Sequence, residues 1–334
     1  MYITKIAPYF KSNYAFTEAT TETEMTTNAQ IHPFPKPIPL FKQVETRFDP
    51  EYGVLWGFMN PAPRPCFTPQ ILDELGNFVR SISEPRGKYR HNSTEHTIHY
   101  GVIASKVPGI FNLGGDLELF KQAIVNQDRE LLVRYGRKCI DNQFPWSRNF
   151  DLPLTTISLV QGDALGGGFE CALSSTVIVA EESARMGFPE ILFNLFPGMG
   201  AYSFLVRKVG RRKTEEMITS ANIYSARELY EFGVVDVVTP DGTGEAAVYS
   251  YVRKHAKAAN ARRAIESVRN EFEPVTHSEL TRIVEIWADT ALKLDARDLK
   301  MMERLVRAQH RSGTQAVETI GAPNQVRLEA GAGD

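Results

Sequence analysis

The sequence predicts an α/β fold that ends in a helical C-terminal subdomain. Short apolar runs alternate with amphipathic stretches through the middle of the chain, which is typical of alternating strands and helices. Two glycine-rich turns each precede a helical stretch. From about residue 244 onward the apolar positions recur at helical spacing. With 334 residues, the chain is long enough to bury a large core.

Composition and charge exclude several classes of protein. Charged residues make up 23% and apolar residues 43% of the chain, which is ordinary for a soluble globular protein. The net charge of −2 gives no case for binding to nucleic acid or to an anionic membrane. No apolar run is long enough for a membrane span and the N-terminus lacks the apolar segment of a signal peptide. We therefore expect a cytoplasmic protein.

Cysteines and histidines give no sign of a disulfide framework or a metal site. The three cysteines are an odd number and share no metal-like spacing: Cys66, Cys139 and Cys171. We therefore expect a reducing compartment. His91, His96 and His99 are close in sequence, but a loop and a strand would have to bring them together, so we expect no metal and no cofactor. Cys171 is expected to be a core residue, because no paired histidine is evident.

The chain divides into four segments on composition and periodicity. Residues 1–40 contain the polar run "TEATTETEMTT" and the proline-rich "HPFPKPIP", which predict a flexible extension. An arm docked on a neighbouring subunit is the alternative. Residues 41–243 are predicted to form the α/β core, residues 244–312 the helical subdomain, and residues 313–334 a flexible tail.

The first half of the core starts with a strand and a capped helix. "GVLWGFMN" (53–60) reads as a buried strand. Thr68 is the expected cap of a helix with Pro69 in its first turn. Residues 84–95 are predicted to be a surface loop. "TIHYGVIAS" (97–105) alternates as a strand does.

The glycine turns punctuate the second half. "GIFNLGGD" (109–116) is a glycine turn, and a long helix is predicted from about Asp116. "TTISLVQG" (155–162) is an apolar strand that leads into the second turn, and "TVIVAEES" (176–183) is another strand. Apolar residues of the C-terminal helices fall at helical spacing: Leu280, Ile283, Val284, Trp287, Ala291 and Leu294, then Leu299, Met302, Leu305 and Val306.

The stretch "GDALGGGFE" (162–170) has the chemistry of an oxyanion site. A helix that begins near Gly167 leaves its first N–H groups without internal partners, and glycine lets a ligand oxygen approach them. The N–H of Gly115 is a candidate second donor. Two such donors stabilise an enolate or a tetrahedral oxyanion, each by about 2.7–4 kcal/mol. A turn packed tightly for steric reasons alone is the alternative. The phosphate-binding, dinucleotide-binding and serine-nucleophile patterns are absent.

Two glutamates are candidate acid–base groups. Glu170 lies in the first turn of the predicted helix, three residues after Gly167. Glu190 is flanked by Pro189 and the apolar run that follows, so it is either a helix-start residue or a buried acid with a raised pKa. Glu170 has the alternative of a surface residue that stabilises a helix dipole. Together, two carboxylates beside one oxyanion hole can remove an α-proton and expel or add water at the β-carbon.

These motifs resemble those of the crotonase (enoyl-CoA hydratase) superfamily. The resemblance spans about 45–312 and is carried by "FNLGGDL", "GDALGGGFE", "PEILFNLFPGMGA" and "YSARELYEFGVVDVV". It implies a crotonase-like spiral of repeated ββα units. It also implies that Gly115 and Gly167 supply the oxyanion N–H groups and that Glu170 and Glu190 are catalytic. The presence of both acids favours hydration or dehydration over the isomerase and dehalogenase branches.

A closer resemblance is to the bacterial diffusible signal factor synthases. It is carried by "FNLGGDLELF", "FNLFPGMGAYSFL" and "IVEIWADTALKLDARDLKMMERLVRAQHRSG". It implies dehydration of a 3-hydroxyacyl carrier-protein thioester to the cis-2-enoyl form, then hydrolysis to a free fatty-acid signal. A conventional enoyl-CoA hydratase of fatty-acid breakdown and a regulatory protein that binds a sensor histidine kinase are the alternatives. The resemblance does not say which glutamate is acid and which is base.

The resemblance also implies an acyl pocket and partners. Trp287 and Leu305 would line the pocket, although spacing alone makes them ordinary helix core. Further candidates for substrate contact are Leu113, Gly114, Leu165, Gly166, Met199 and Phe204. The substrate would be carried by an acyl carrier protein or CoA, for which the basic stretches 206–213 and 251–263 are candidate docking sites or simply solvated helix faces. A homotrimer or hexamer is expected.

Overall fold

The computed structural model describes residues 42–310. The predicted extension (1–40) and tail (313–334) lie outside the described residues, as does the end of the helical subdomain. All of the described residues belong to one compact unit. Within them, no helix combines the length and apolarity that crossing a membrane requires.

The described residues contain strands of three to six residues. They are β1 Val44–Asp49, β2 Val54–Met59, β3 Lys88–His91, β4 Thr94–Thr97, β5 Tyr100–Ser105, β6 Ile110–Asn112, β7 Thr155–Val160, β8 Asp163–Leu165, β9 Val177–Glu181, β10 Arg185–Gly187, β11 Ile223–Ser225 and β12 Val237–Thr239. The largest sheet has the order β1-β2-β5-β7-β9-β12, in which only the β1–β2 pair is antiparallel. Its central strands are buried on both faces, which explains their continuous apolar sequences.

Ten α-helices surround the sheets in the described residues. They are α1 Pro69–Ser83, α2 Leu117–Val125, α3 Arg129–Ser147, α4 Gly167–Leu173, α5 Ala201–Ser220, α6 Ala226–Glu231, α7 Gly244–Ala256, α8 Ala259–Phe272, α9 His277–Ala291 and α10 Ala296–His310. As predicted, Thr68 caps α1 and Pro69 occupies its first turn. The α/β architecture followed by helices from residue 244 is confirmed, while the division into two subdomains at 243/244 stays a prediction.

The four-stranded sheet positions both glycine turns. Its order is β11-β10-β8-β6, and β8 pairs in parallel with β6 on one side and β10 on the other. The turn 113–115 follows the end of β6, and Gly166 follows the end of β8. Because the carboxyl ends of parallel strands meet at one edge of a sheet, the two turns lie side by side.

The predicted surface loop 84–95 was wrong in part. Residues Lys88–His91 pair with Thr94–Thr97 in an antiparallel hairpin. Its two-residue turn, Asn92 and Ser93, has φ values of 48° and 65°, which is the primed turn that matches strand twist. Because serine is an unusual second residue for such a turn, the hairpin signal in residues 84–95 is weak.

The predicted long helix from Asp116 is two helices. Asp116 caps α2 as expected, since its side chain accepts a hydrogen bond from Leu119 N. The helix then ends at Asn126, Gln127 has a φ of 53°, and Asp128 caps α3. A left-handed residue cannot continue an α-helix, so α3 leaves in a new direction.

Helices cover both faces of the large sheet. On one face, Val248 and Val252 of α7 pack on a cluster that includes Trp56, Val102 and Val179. The other face joins α1, α3, α4, α5, α9 and α10 in one larger apolar core. The close approach of α9 to α3 requires Gly136, because a Cβ at this position would lie 2.5 Å from Val284 Cγ1. The C-terminal helices are thereby packed against the wall that surrounds the glycine turns.

Candidate active site

The two glycine turns touch through their backbones. Gly114 has a φ of 90°, and its N–H donates to Asn112 Oδ1 at 2.8 Å. A Cβ on Gly114 would lie 2.7 Å from the carbonyl oxygen of Leu165 and 3.0 Å from Gly167 N. Glycine is required at position 114 both for this backbone conformation and for this contact.

The contact brings two N–H donors together. A Cβ on Gly167 would lie 3.3 Å from Gly115 N, so the two nitrogens belong to adjoining backbone segments. Gly167 is the first residue of α4, where an N–H has no partner within the helix. Within residues 42–310, neither the Gly115 N–H nor the Gly167 N–H donates to another protein atom. Both donors are therefore available to an oxygen in the adjoining space.

Glu170 is held by two backbone donors. It lies one turn into α4 with 1% of its surface exposed. Its Oε1 accepts hydrogen bonds from Met199 N at 2.8 Å and Ala201 N at 3.0 Å. Burial raises the pKa of Glu170 to about 7, although the two N–H donors act in the opposite direction. These bonds fix one oxygen and leave Oε2 without a protein donor.

The Glu190 side chain lies against the second glycine turn and comes from a later segment of the chain. It begins a 3-10 helix, Glu190–Phe193, and a Cβ on Gly166 would overlap its Oε1. The residue is partly exposed, yet its Oε2 is buried without a hydrogen-bond partner. Burial, and then the charge of Glu170, raise the pKa of Glu190 to about 8. Two buried carboxyls that repel each other's charge hold protons near neutral pH.

Both glutamates face one space, which we call the carboxylate cleft. Its lining includes all four of the predicted catalytic and oxyanion residues and two of the predicted pocket residues: Gly115, Gly167, Glu170, Glu190, Met199 and Trp287. A Cβ on Gly198 would overlap the Trp287 ring, so Trp287 is at once a core residue and a wall of the cleft.

The other predicted substrate contacts line an adjoining space, which we call the leucine cleft. The predicted residues in its lining are Leu113, Gly114, Leu165, Gly166 and Leu305. Gly115 and Glu190 line both clefts. The weaker candidate Phe204 lines neither cleft. It is buried beneath Gly200, where a Cβ would overlap its ring, so its apolar position in the motif reflects packing.

Two positioning residues escaped the sequence analysis. The Tyr135 hydroxyl donates to Phe67 O at 2.5 Å and accepts from Asp116 N at 3.2 Å, which fixes the chain on the far side of Gly115. Gln309, near the end of α10, donates through Nε2 to Leu113 O at 3.0 Å and to Gly115 O at 3.1 Å. Gln309 lies within a segment that carried the resemblance, but no local pattern links it to the glycine turn.

The three histidines and Cys171, which were also considered as functional residues, lie among packing contacts and not in either cleft. The rings of His91 and His96 flank Phe48, with centroids 5.8 and 5.5 Å from its ring, and His99 Nδ1 lies 3.1 Å from Arg263 Nη2. In the part of the chain that the structure describes, no group of His, Cys, Asp and Glu is arranged to hold a metal ion. Burial raises the pKa of Cys171 to about 12, which keeps its thiol protonated.

Internal ion pairs occupy much of the basic stretch 206–213. Arg207 pairs with Glu279 at 3.0 Å, Arg211 with Glu215 at 2.9 Å, and Lys213 with Glu216 at 2.8 Å. Burial lowers the pKa of Lys208. A docking role for this stretch stays a prediction.

A family model described as enoyl-CoA hydratase/isomerase matches residues 88–307 of the 334-residue chain. The chain belongs to the enoyl-CoA hydratase/isomerase family. A probable enoyl-CoA hydratase of Bacillus subtilis is 32% identical over 182 residues, which are 54% of this chain and 64% of that protein. The mitochondrial methylglutaconyl-CoA hydratase of Homo sapiens is 30% identical over 172 residues, 51% of this chain and 48% of that protein. The chain thus spans roughly half to under two thirds of these family members.

Solved structures share the fold of this family member. Human mitochondrial delta3-delta2-enoyl-CoA isomerase has a TM-score of 0.66 at 16% identity and covers 81% of this chain and 100% of its own. Pseudomonas aeruginosa DspI has a TM-score of 0.56 at 23% identity, with 69% of this chain and 87% of its own covered. At these identities the likeness concerns the fold alone, and it confirms the predicted crotonase-like fold.

We expect Gln309→Glu to destabilise the protein by about 1–3 kcal/mol, because it removes the donor for two carbonyls and buries an acceptor beside them. Thermal unfolding measures this loss. The matched control is Gln122→Glu on the exposed surface of α2, which should change stability by no more than about 0.5 kcal/mol. Equal effects of the two substitutions would contradict the role of the Gln309 amide.

Proposed function

We propose that this protein is a signal synthase of the diffusible-signal-factor type. It would dehydrate a 3-hydroxyacyl thioester of acyl carrier protein to the cis-2-enoyl thioester and then release the free cis-2-unsaturated fatty acid by hydrolysis. The observation that carries the proposal is the pair of buried carboxyls, Glu170 and Glu190, facing two unpaired N–H donors across one cleft. Sequence similarity in three segments, including the one over 283–313, supports the finer assignment.

The dehydration step needs one proton shared by the two carboxyls. The Gly115 and Gly167 N–H groups would hold the thioester oxygen and stabilise the enolate formed when the α-proton leaves. One of the two glutamates accepts this proton as a carboxylate. The other donates a proton to the departing 3-hydroxyl, which leaves as water. Because the charge of one carboxyl raises the pKa of the other, a singly protonated pair is the stable state near neutral pH.

The hydrolysis step would use the same groups. A carboxylate of the pair takes a proton from water as the water oxygen attacks the thioester carbon. The resulting tetrahedral oxyanion occupies the same two N–H donors. When it collapses, the carbon–sulfur bond breaks, the thiol of the carrier leaves with a proton, and the free acid remains.

A conventional enoyl-CoA hydratase of fatty-acid breakdown is the second candidate. Family membership and the names of the curated relatives favour it. It would use the same cleft on a CoA thioester and add water to a 2-enoyl chain without breaking the thioester. The two candidates differ in their products.

The decisive experiment is mass spectrometry of the products that purified protein forms from a 3-hydroxydodecanoyl carrier-protein thioester. We expect free cis-2-dodecenoic acid. Exchange between hydrated and dehydrated forms with the thioester intact would instead assign the protein as a conventional hydratase. The same assay with the CoA thioester tests the preference for a carrier.

Replacement of either glutamate should slow turnover strongly. We expect Glu170→Gln and Glu190→Gln each to lower kcat by about 10²–10⁴-fold, because each removes a proton-transfer group. Glu231→Gln, on the exposed end of α6, is the control and should leave kcat unchanged. A glutamine variant with full turnover would remove its residue from the proposed mechanism.

The carboxyl pair should also make stability depend on pH. Burial raises the pKa of Glu170 to about 7 and of Glu190 to about 8 from the ordinary value of 4.5. The folded protein therefore binds more protons than the unfolded chain between these values, and stability falls as pH rises from about 4.5 to about 8. Melting temperatures across this range should decline more steeply for the wild type than for the double glutamine variant. Parallel curves would contradict the raised pKa values.

A further inference from the structure

A second apolar cavity lies between α1, α3, β5 and α4. We call it the distal cavity. Its lining residues are mostly buried apolar side chains: Phe67, Leu72, Leu75, Phe78, Val79, Ile103, Cys139, Asn142, Gln143, Trp146, Cys171 and Ser174. None of these described residues carries a charge, so the space suits an alkyl chain far better than a polar ligand.

The distal cavity shares a wall with the carboxylate cleft. Phe67, Cys139 and Gln143 line both spaces. Tyr135, Cys139 and Gln143 recur every fourth residue on one face of α3, and Tyr135 bonds to the backbone beside Gly115. At a rise of 1.5 Å per residue, the step from Tyr135 to Gln143 is about 12 Å. This face of α3 therefore runs from the glycine turn at residues 113–115 to the distal cavity.

The Gln143 side chain sets this wall apart from ordinary core. Only 8% of the residue is exposed, and its Oε1 is buried without a partner. A buried polar atom is usually paired. This unpaired oxygen belongs to a residue that lines both spaces, so the wall between them is not a fully packed apolar core.

We infer that the distal cavity receives the far end of the substrate's acyl chain. The carboxylate cleft and the distal cavity then form one channel, with the thioester at the glycine turns and the chain end between α1 and α3. Short acyl chains would end within the carboxylate cleft, whereas longer straight chains would reach the distal cavity. The inference rests on the proposed acyl thioester substrate. It predicts that residues outside both clefts, above all Leu75 and Val79, limit the length of the acyl chain that the protein accepts.

The test is Leu75→Trp, which fills the distal cavity and leaves the lining of both clefts unchanged. The substrates are the 4-carbon and 12-carbon 3-hydroxyacyl thioesters of one carrier. We expect kcat/KM for the 12-carbon substrate to fall tenfold or more, since each methylene kept from an apolar site costs about fourfold in binding. The value for the 4-carbon substrate should stay within about twofold of wild type. The control Val268→Trp adds the same ring on the exposed face of α8 and should leave both values unchanged.

An equal loss for both substrates, or no loss for the 12-carbon one, overturns the inference. If Leu75→Trp does not fold, Val79→Phe fills the same cavity from the next turn of α1 and is judged by the same ratio. Unreactive analogues of the dodecanoyl and butanoyl thioesters have a methylene between the carbonyl carbon and the sulfur. Direct titration with these analogues separates this inference from the proposed function. Tighter dodecanoyl binding that Leu75→Trp abolishes supports the channel even where no thioester is turned over, in which case the proposed function alone fails.

Discussion

The backbone contact between two glycine turns is the constraint on which the site depends. Parallel pairing of β6 with β8 places the turns at one sheet edge, and α4 then packs so closely that a Cβ on Gly168 would overlap Asn112 O. A side chain at Gly114 would separate Leu165 O from the neighbouring turn. The two N–H groups of Gly115 and Gly167 can share one oxygen only while no side chain intervenes. Ordering a glycine on folding costs more conformational entropy than ordering another residue, but glycine permits this geometry.

Electrostatics in the carboxylate cleft follow from what surrounds it. Among the described residues that line the two clefts, none is a lysine or an arginine. The carboxyls of Glu170 and Glu190 therefore have no cation to offset the loss of water, and burial raises the pKa of each. Among the described residues, the groups that favour the charged form of Glu170 are two backbone N–H donors. Neutral donors of this kind orient a carboxylate without fixing its proton, as the proposed mechanism requires.

Sequence reasoning succeeded where the chemistry is local. The cap at Thr68, the strands and the two glycine turns each depend on residues within a few positions of one another. It was wrong where one backbone angle decides the outcome, as at Gln127, where a φ of 53° divides the predicted helix. It also missed Gln309, whose contacts with the glycine turn join residues 194 and 196 positions apart. Such a contact depends on how helices pack, and no short motif encodes it.

The C-terminal helices are part of the site because they hold its backbone. The Trp287 side chain of α9 fills the space that Gly198 leaves open. Met199, which follows Gly198, donates its backbone N–H to the Glu170 carboxylate. Gln309 of α10 bonds to the carbonyls of Leu113 and Gly115, on both sides of Gly114. Packing of α9 therefore acts on the Glu170 carboxylate, and packing of α10 acts on the glycine turn at residues 113–115. A change in either helix would reach the chemistry through backbone groups, even though the glycine turns themselves belong to the α/β part of the fold.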